Sequence, residues 1–309
     1  MAALLASGFA AAQDYPARPV RILVGFPPGG AVDLVARILQ PRLEQAFKRQ
    51  IVIENRPGAS GVLSADLTAK APPDGYTLNI TNHGSLVITP VMTKVPYDPA
   101  RDFTPIARIV EVQNIFLVQN SLPAQNLREF VALAKAKPGS LNYATPGTGS
   151  AGHLTGELFR HMAGIDWVHV PYKGGAPAMT DFLAGQVESF VAIVSTAVPY
   201  VKQGRVRALA VSGGRRSAAL PDVPTVAESG WPQFESTSSY CLVGPAGLPR
   251  PIVERWHAEI AAALATPEIR NALLERGLEP APAGPAEVAA YLKSETEKWA
   301  PLVRALKLE

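Results

Sequence analysis

Two glycine-rich turns contain the residues of this chain best suited to hold a small anion. Residues 24–40 read VGFPPGGAVDLVARILQ, and residues 141–155 read LNYATPGTGSAGHLT. In each, a strand-like stretch runs into proline and glycine, and a helical pattern begins directly afterwards. The first N–H groups of a helix lack intrahelical partners, and the helix dipole makes that end positive. Because glycine leaves these N–H groups open, each turn is a candidate anion site.

The two turns also have other interpretations. A proline and glycine turn between a strand and a helix can be a tight connection without a ligand. Residues 147–152, GTGSAG, match the G-x-G-x-x-G pattern of dinucleotide-binding enzymes. Such a site needs an acidic residue at the end of the next strand, but that strand ends in Tyr172-Lys173-Gly174-Gly175. A dinucleotide-binding enzyme is therefore an alternative, but the acidic residue that would bind the ribose is missing.

The usual catalytic patterns are missing from the sequence, which contains neither G-x-S-x-G nor H-E-x-x-H. His83 and His153 stand beside strand ends, where they either face a cleft or are simply exposed. The single cysteine, Cys241, lies in an apolar stretch and is predicted to be a small buried side chain. Asp33, in the first turn of a helix, is predicted to pair with loop N–H groups. We expect a binding protein that is not an enzyme and uses no metal or cofactor.

Composition and charge fit an exported globular protein of 309 residues. Hydrophobic residues make up 47% and charged residues 18%, and the net charge of +3 is spread without a long basic run, so nucleic-acid binding is not predicted. The first twelve residues, MAALLASGFAAA, resemble the end of a secretory signal peptide and are too few to span a bilayer. We expect residues 1–12 to be a signal-peptide remnant.

Strand-like and helix-like segments alternate along most of the chain, which predicts an α/β fold with largely parallel sheets. Strands are expected at 20–24, 51–54, 76–81, 106–110, 115–119, 141–145, 167–172, 187–194, 208–212 and 240–243. Helices are expected at 31–47, 60–70, 127–135, 151–162, 176–183, 198–202, 252–265, 267–276 and 285–306. No strand is expected after residue 243.

The order of these elements predicts two lobes. Residues 20–119 form one strand–helix set and residues 127–212 form another, while the late strand at 240–243 and the last helices need a sheet to join. We expect them to return to the first lobe, so that the chain crosses between lobes near Ile115–Asn120 and Ser238–Val243. Lobe 1 then comprises 13–117 and 241–309, and lobe 2 comprises 118–240.

Several long motifs occur in the same order as in one known family. They are VGFPPGGAVDLVARIL, VIENRPGASG, PPDGYTL, VPYDPARDFTPIA, ATPGTGSAGHLTGELF, VHVPYKGGAPAMTDFLAGQVE, LPDVPTVAESG and LVGPAGLP. Across nearly the whole mature chain the sequence resembles the periplasmic solute receptors of the tripartite tricarboxylate transporter family, the TctC-like or Bug proteins. The resemblance implies a two-lobed Venus-flytrap fold of the type II periplasmic-binding class, with mixed or parallel sheets flanked by helices and two crossover strands as hinge.

The resemblance also implies that a small carboxylate is enclosed between the lobes and held largely by backbone N–H groups. Lobe 1 is expected to contact it through one turn and the segment after Thr81, and lobe 2 through the other turn and two strand ends. The ligand-binding residues implied for this sequence are Phe26, Pro27, Pro28, Gly29, Gly30, Ala31, Asn82, His83, Ser85, Thr145, Gly147, Thr148, Gly149, Ser150, Ala151, Tyr172, Lys173, Ala192 and Ser195.

The family further implies a periplasmic, monomeric receptor that delivers its ligand to membrane permease subunits. A solute sensor for an extracytoplasmic signalling partner is an alternative role for the same pocket. Many members have an acidic residue where this chain reads Ala192-Ile193-Val194-Ser195, and a carboxylate there would pair with an ammonium group. We therefore expect a dicarboxylate or an aromatic acid rather than an amino acid.

Overall fold

A computed structural model describes residues 15–305 as alternating strands and helices, which confirms the predicted α/β class. The expected leader, residues 1–12, lies outside this range. The strands are β1 Val20–Val24, β2 Ile51–Asn55, β3 Thr77–Asn82, β4 Phe103–Val118, β5 Asn142–Thr145, β6 Val168–Pro171, β7 Ser189–Ile193, β8 Arg207–Val211, β9 Thr237–Pro245 and β10 Leu278–Ala283. The helices are α1 Ala31–Phe47, α2 Val62–Ala69, α3 Thr89–Met92, α4 Leu127–Ala136, α5 Ala151–Ala163, α6 Gly175–Leu183, α7 Val194–Lys202, α8 Arg250–Ala265, α9 Pro267–Leu274 and α10 Pro285–Ala305.

The strands form two sheets that share β4. Residues 103–113 of β4 pair with β9, and β10 pairs along the other side of the same stretch. Residues 114–118 of β4 pair instead with β7 and β8. The first sheet is completed by β3, β1 and β2, and the second by β5 and β6. The partners of β4 therefore change between Gln113 and Asn114, where one sheet ends and the other begins.

Three features of this topology differ from the sequence prediction. The strands predicted at 106–110 and 115–119 are one continuous strand, because Gln113 and Asn114 are buried polar residues within it rather than a loop. A strand, β10, follows residue 243, where none was predicted. Its sequence LEPAPA, with two prolines, is not typical of a strand. Among the described strands β10 pairs with β4 alone, however, and an edge strand tolerates proline. The segment after β3 is helical, with a π-helical stretch Gly84–Ile88 before α3.

Helices cover both faces of each sheet. In the first sheet, one core contains residues of α1, α8 and α9, and a smaller core lies where α2 and α10 meet β9. In the second sheet, α4 and α5 pack on one face and α6 and α7 on the other. Cys241 is 2% exposed in the core beside α10, as predicted. Within residues 15–305, no helix is both long and apolar enough to cross a membrane.

Candidate ligand-binding site

The first turn joins β1 to α1 and has a glycine in the left-handed region. Gly29 has φ +81°, and Gly30, the N-cap of α1, has φ −71° and ψ 164°. The Gly30 N–H donates to the Pro27 carbonyl oxygen at 3.3 Å. The Gly29 N–H donates to Asp33 Oδ2 at 2.9 Å, which confirms the predicted role of Asp33.

The second turn joins β5 to α5 and has similar backbone angles at its glycine and N-cap. Gly149 has φ +74°, and Ser150, the N-cap of α5, has φ −70° and ψ 160°. The Ser150 N–H donates to the Gly147 carbonyl oxygen at 3.1 Å. The Gly149 N–H donates to His153 Nδ1 at 3.1 Å, so the bonded side chain lies four residues after the glycine, as in the first turn.

Both helices begin with backbone donors that the protein does not use. Within residues 15–305, the N–H groups of Ala31 and Val32 have no protein acceptor, and neither have those of Ala151 and Gly152. Because these groups lie at positive helix ends, each turn can donate hydrogen bonds to an anion.

Asp33 is buried beneath the first turn and is held by three neighbours. Its Oδ2 accepts from Arg37 Nε at 2.8 Å as well as from Gly29, and its Oδ1 accepts from Asn55 Nδ2 at 2.9 Å. Burial alone would raise the pKa of this carboxyl group, but the hydrogen bonds from Arg37, Gly29 and Asn55 outweigh it and hold the pKa below its ordinary value. Asp33 is therefore a carboxylate at neutral pH.

His153 is buried beneath the second turn. The sequence predicted that it would either face a cleft or be exposed, and the structure shows neither. It is 3% exposed because its ring stacks on that of His169, with ring centroids 4.0 Å apart. Burial, with the nearby charge of Arg160, lowers the pKa of His153 to about 4, and burial also lowers that of His169 to about 4. Since His153 Nδ1 accepts the Gly149 N–H, the neutral ring has its proton on Nε2.

The pairing of the strands places both turns near Gln113–Asn114, where the partners of β4 change. β7 runs antiparallel to β4 and ends with Ile193 opposite Asn114. β9 begins beside Gln113, and β3 ends with Asn82 opposite Tyr240 of β9. β1 is parallel to β3, and β5 is parallel to β7. The carboxyl ends of these strands, which precede the two turns, therefore face each other across the crossover.

The segment after β3 lies on the same edge as the first turn, but its side chains are used within the protein. His83 is 3% exposed, and its Nε2 lies 3.1 Å from Glu295 Oε2 of α10, without the alignment of a hydrogen bond. Ser85 is buried, and its Oγ donates to the Asn82 carbonyl oxygen at 3.2 Å. The side chains of His83 and Ser85 therefore support the segment, and a ligand would meet its backbone.

The remaining residues that were predicted to bind from lobe 2 lie at the edge of the second sheet. Thr145 Oγ1 lies 2.7 Å from His169 Nε2, while Thr148 and Lys173 are exposed. Tyr172 donates its N–H to the Thr145 carbonyl oxygen. Ala192 packs in the core beneath α6 and α7, so only its backbone can contribute to a site.

Three further residues help to shape this region. Ser195 was predicted, and its buried Oγ has no partner among the described residues. Asn55 was not predicted, and its Nδ2 donates to the Phe26 carbonyl oxygen at 3.0 Å. Asn55 could have been predicted, because it ends β2 at the sheet edge that includes the first turn. Met92 was also not predicted; a methyl group at Gly149 would lie 3.1 Å from its Sδ. No sequence signal indicated Met92, because α3 itself was not predicted.

Comparisons with known proteins find one matching family and several solved structures of the same fold. A family model described as tripartite tricarboxylate transporter family receptor matches residues 35–308. The chain is 33% identical to Protein BugT of Bordetella pertussis, over 95% of this chain and 90% of that protein. It is similar to the structure of R. palustris Rpa4515 with adipate, at 34% identity and a TM-score of 0.90, over 95% of this chain and 99% of that one. It is also similar to MatC from Rhodopseudomonas palustris with bound malate, at 31% identity and a TM-score of 0.84, over 94% and 100% of the two chains.

Proposed function

This chain belongs to the receptor family of the tripartite tricarboxylate transporters, and from that premise we propose that it captures a small organic carboxylate in the periplasm and delivers it to a membrane permease. The observation that supports this most directly is the pair of matched turns at facing sheet edges. Each begins a helix with N–H groups that have no acceptor in the described part of the chain. One carboxylate ligand lying between them would receive donors from both sides.

We propose that binding closes two lobes about the crossover. We assign the first sheet and its helices to lobe 1 and the second sheet and its helices to lobe 2, which moves the boundary expected after residue 117 to Gln113–Asn114. The hinge lies at Gln113–Asn114 of β4 and in the segment that enters β9, a few residues before the positions expected from the sequence. A ligand that bridges the lobes binds the closed form better and shifts the population toward it.

The proposed ligand has carboxylate but no ammonium groups. Ala192 and Ser195 provide no negative charge at the end of β7 to pair with an amine. Adipate and malate, found with two structural neighbours, are carboxylates without an amino group. A dicarboxylate or an aromatic acid therefore fits this edge of the second sheet better than an amino acid.

Isothermal titration calorimetry with adipate, malate, benzoate, aspartate and NAD tests the ligand class. We expect heat of binding from at least one of the three acids without an amino group, and none from NAD. Tight binding of aspartate alone would contradict the proposed ligand class, and tight binding of NAD would contradict the receptor function.

A charge placed in each turn tests the site itself. Thr148 and Pro28 are exposed and hold matching places in the two turns, so Thr148→Glu and Pro28→Glu bring a carboxylate to each helix end without disturbing a core. Each variant should weaken carboxylate binding at least ten-fold by repulsion, whereas Thr148→Gln, of similar size but uncharged, should bind nearly as the wild type does. Unchanged binding in both glutamate variants would place the ligand elsewhere.

A further inference from the structure

One apolar cluster joins elements from both proposed lobes. Its buried members come from the π-helical segment and α10, on the side of the first sheet, and from α5, on the side of the second. Met92, Leu158, Leu292 and Leu302 pack around them. We call these buried members the bridging cluster; they are Val87, Ile88, Leu154, Trp299 and Val303.

Leu154 is the buried member that lobe 2 contributes. It is 2% exposed, yet its apolar partners belong to the bridging cluster rather than to either core of the second sheet. It follows His153 directly and so lies in the first turns of the helix that begins at the second turn. If the lobes separate, Leu154 loses these partners and becomes exposed.

The α10 helix is fixed to the first sheet. Val288 near its start packs in the core with Cys241 and Val243 of β9. Further along, Glu295 Oε2 accepts from Trp299 Nε1 at 2.9 Å and contacts His83, in the segment after β3. The indole of Trp299 is therefore held in place by the lobe opposite Leu154.

We propose that the bridging cluster is an apolar latch that holds part of the ligand-free population in the closed form, with Leu154 as the side chain that lobe 2 inserts. This rests on the proposed function, because it assumes two lobes that open and close. Burial of apolar surface is favourable whether or not an anion is present. If the closed form binds the ligand, the latch raises the apparent affinity by increasing the population of that form.

The Leu154→Ala variant tests the latch by small-angle X-ray scattering and calorimetry. Without ligand it should have a larger radius of gyration than the wild type, because the open form gains population. Saturated with a carboxylate identified by calorimetry, it should return to the wild-type value, with a Kd raised about ten-fold. Leu127→Ala is the matched control, because Leu127 is equally buried in a core of lobe 2 alone. It should lower the melting temperature and leave the ligand-free radius and the Kd unchanged.

An unchanged ligand-free radius in Leu154→Ala would overturn the latch. If that variant does not fold, Leu158→Ala, at the partly exposed border of the same cluster, should show the same changes at smaller size, and its failure to do so is equally decisive. If no carboxylate binds the wild type, the proposed function fails, whereas the comparison of ligand-free radii still decides the latch.

Discussion

The turn at residues 27–34, PPGGAVDL, and the turn at residues 147–154, GTGSAGHL, have similar backbone angles at the glycine and at the N-cap that follows it, but most of their side chains differ. Only Gly29 and Gly149, Ala31 and Ala151, and Leu34 and Leu154 are identical pairs. In both, a glycine with positive φ donates its N–H to the side chain four residues later. That side chain is a carboxylate in one turn and a neutral imidazole in the other.

The comparison shows which parts of such a turn are fixed by geometry. The glycine before the N-cap is needed in both places, because its φ is one that other residues rarely adopt. The residue four places later must only offer an acceptor, so Asp33 and His153 are equivalent in hydrogen bonding although they differ in charge. The N-cap differs too, since Ser150 Oγ accepts from the His153 N–H at 3.2 Å and Gly30 has no side chain.

The largest expected effect comes from Gly152, which occupies the place of Val32 in the other turn. A Cβ at Gly152 would clash with the Val191 carbonyl oxygen, whereas Val32 is accommodated in a core. Gly152→Val should therefore lower the free energy of unfolding by about 3 kcal/mol or more. Denaturant unfolding measures this, with Gly152→Ala as a smaller step of the same kind. A fully stable Gly152→Val would mean that α5 does not pack on β7 as described.

The second prediction is that the side chains beneath the two turns affect the free energy of unfolding in different pH ranges. In the unfolded chain the pKa of a histidine is about 6.5, whereas in the folded protein those of His153 and His169 are about 4. Between these values the unfolded chain binds more protons, so the free energy of unfolding should fall by up to about 3 kcal/mol for each histidine as the pH drops from 6.5 to 4, and by less for the partly exposed His169. The pKa of Asp33 is lowered from 3.8, so its contribution should be lost only below that pH.

Denaturant unfolding at a series of pH values checks this difference. His153→Asn keeps an acceptor for the Gly149 N–H but does not titrate, so it should reduce the dependence between pH 6.5 and 4 to the part that His169 contributes. Asp33→Asn should leave the dependence in this window as in the wild type. If His153→Asn instead leaves the slope unchanged, the imidazole beneath the second turn is not held neutral.

The smallest effect tests the N-caps. Ser150→Ala removes the acceptor of the His153 N–H and should cost about 1 kcal/mol of stability. Gly30→Ser adds a hydroxyl at the matching place, where the backbone has the same φ and ψ, and should stabilise by about 0.3 kcal/mol. Thermal unfolding of the two variants gives the comparison. If Ser150→Ala lowered the stability by no more than Gly30→Ser raised it, the proposed difference between the two N-caps would be wrong.

Local patterns in the sequence were enough to locate both turns and to predict the role of Asp33 and the burial of Cys241. Features that depend on distant partners were not predicted. The polar residues Gln113 and Asn114 indicated a break between two strands. Gln113 pairs with β9 and Asn114 with β7, however, so β4 continues through both residues. His153 is buried by His169, and His83 is held by Glu295 far along the chain, contacts that neither periodicity nor spacing indicates. Whether the predicted site residues bind a ligand stays a prediction.

The uninterrupted course of β4 also limits how the molecule can be divided. Its 16 residues provide a central strand first to one sheet and then to the other. A fragment of residues 118–240 would lack most of the β4 stretch that lies between β7 and β8. Its sheet would therefore be divided between these two strands. The two halves therefore depend on each other for assembly, so that neither is a module that evolution or an engineer could transplant on its own.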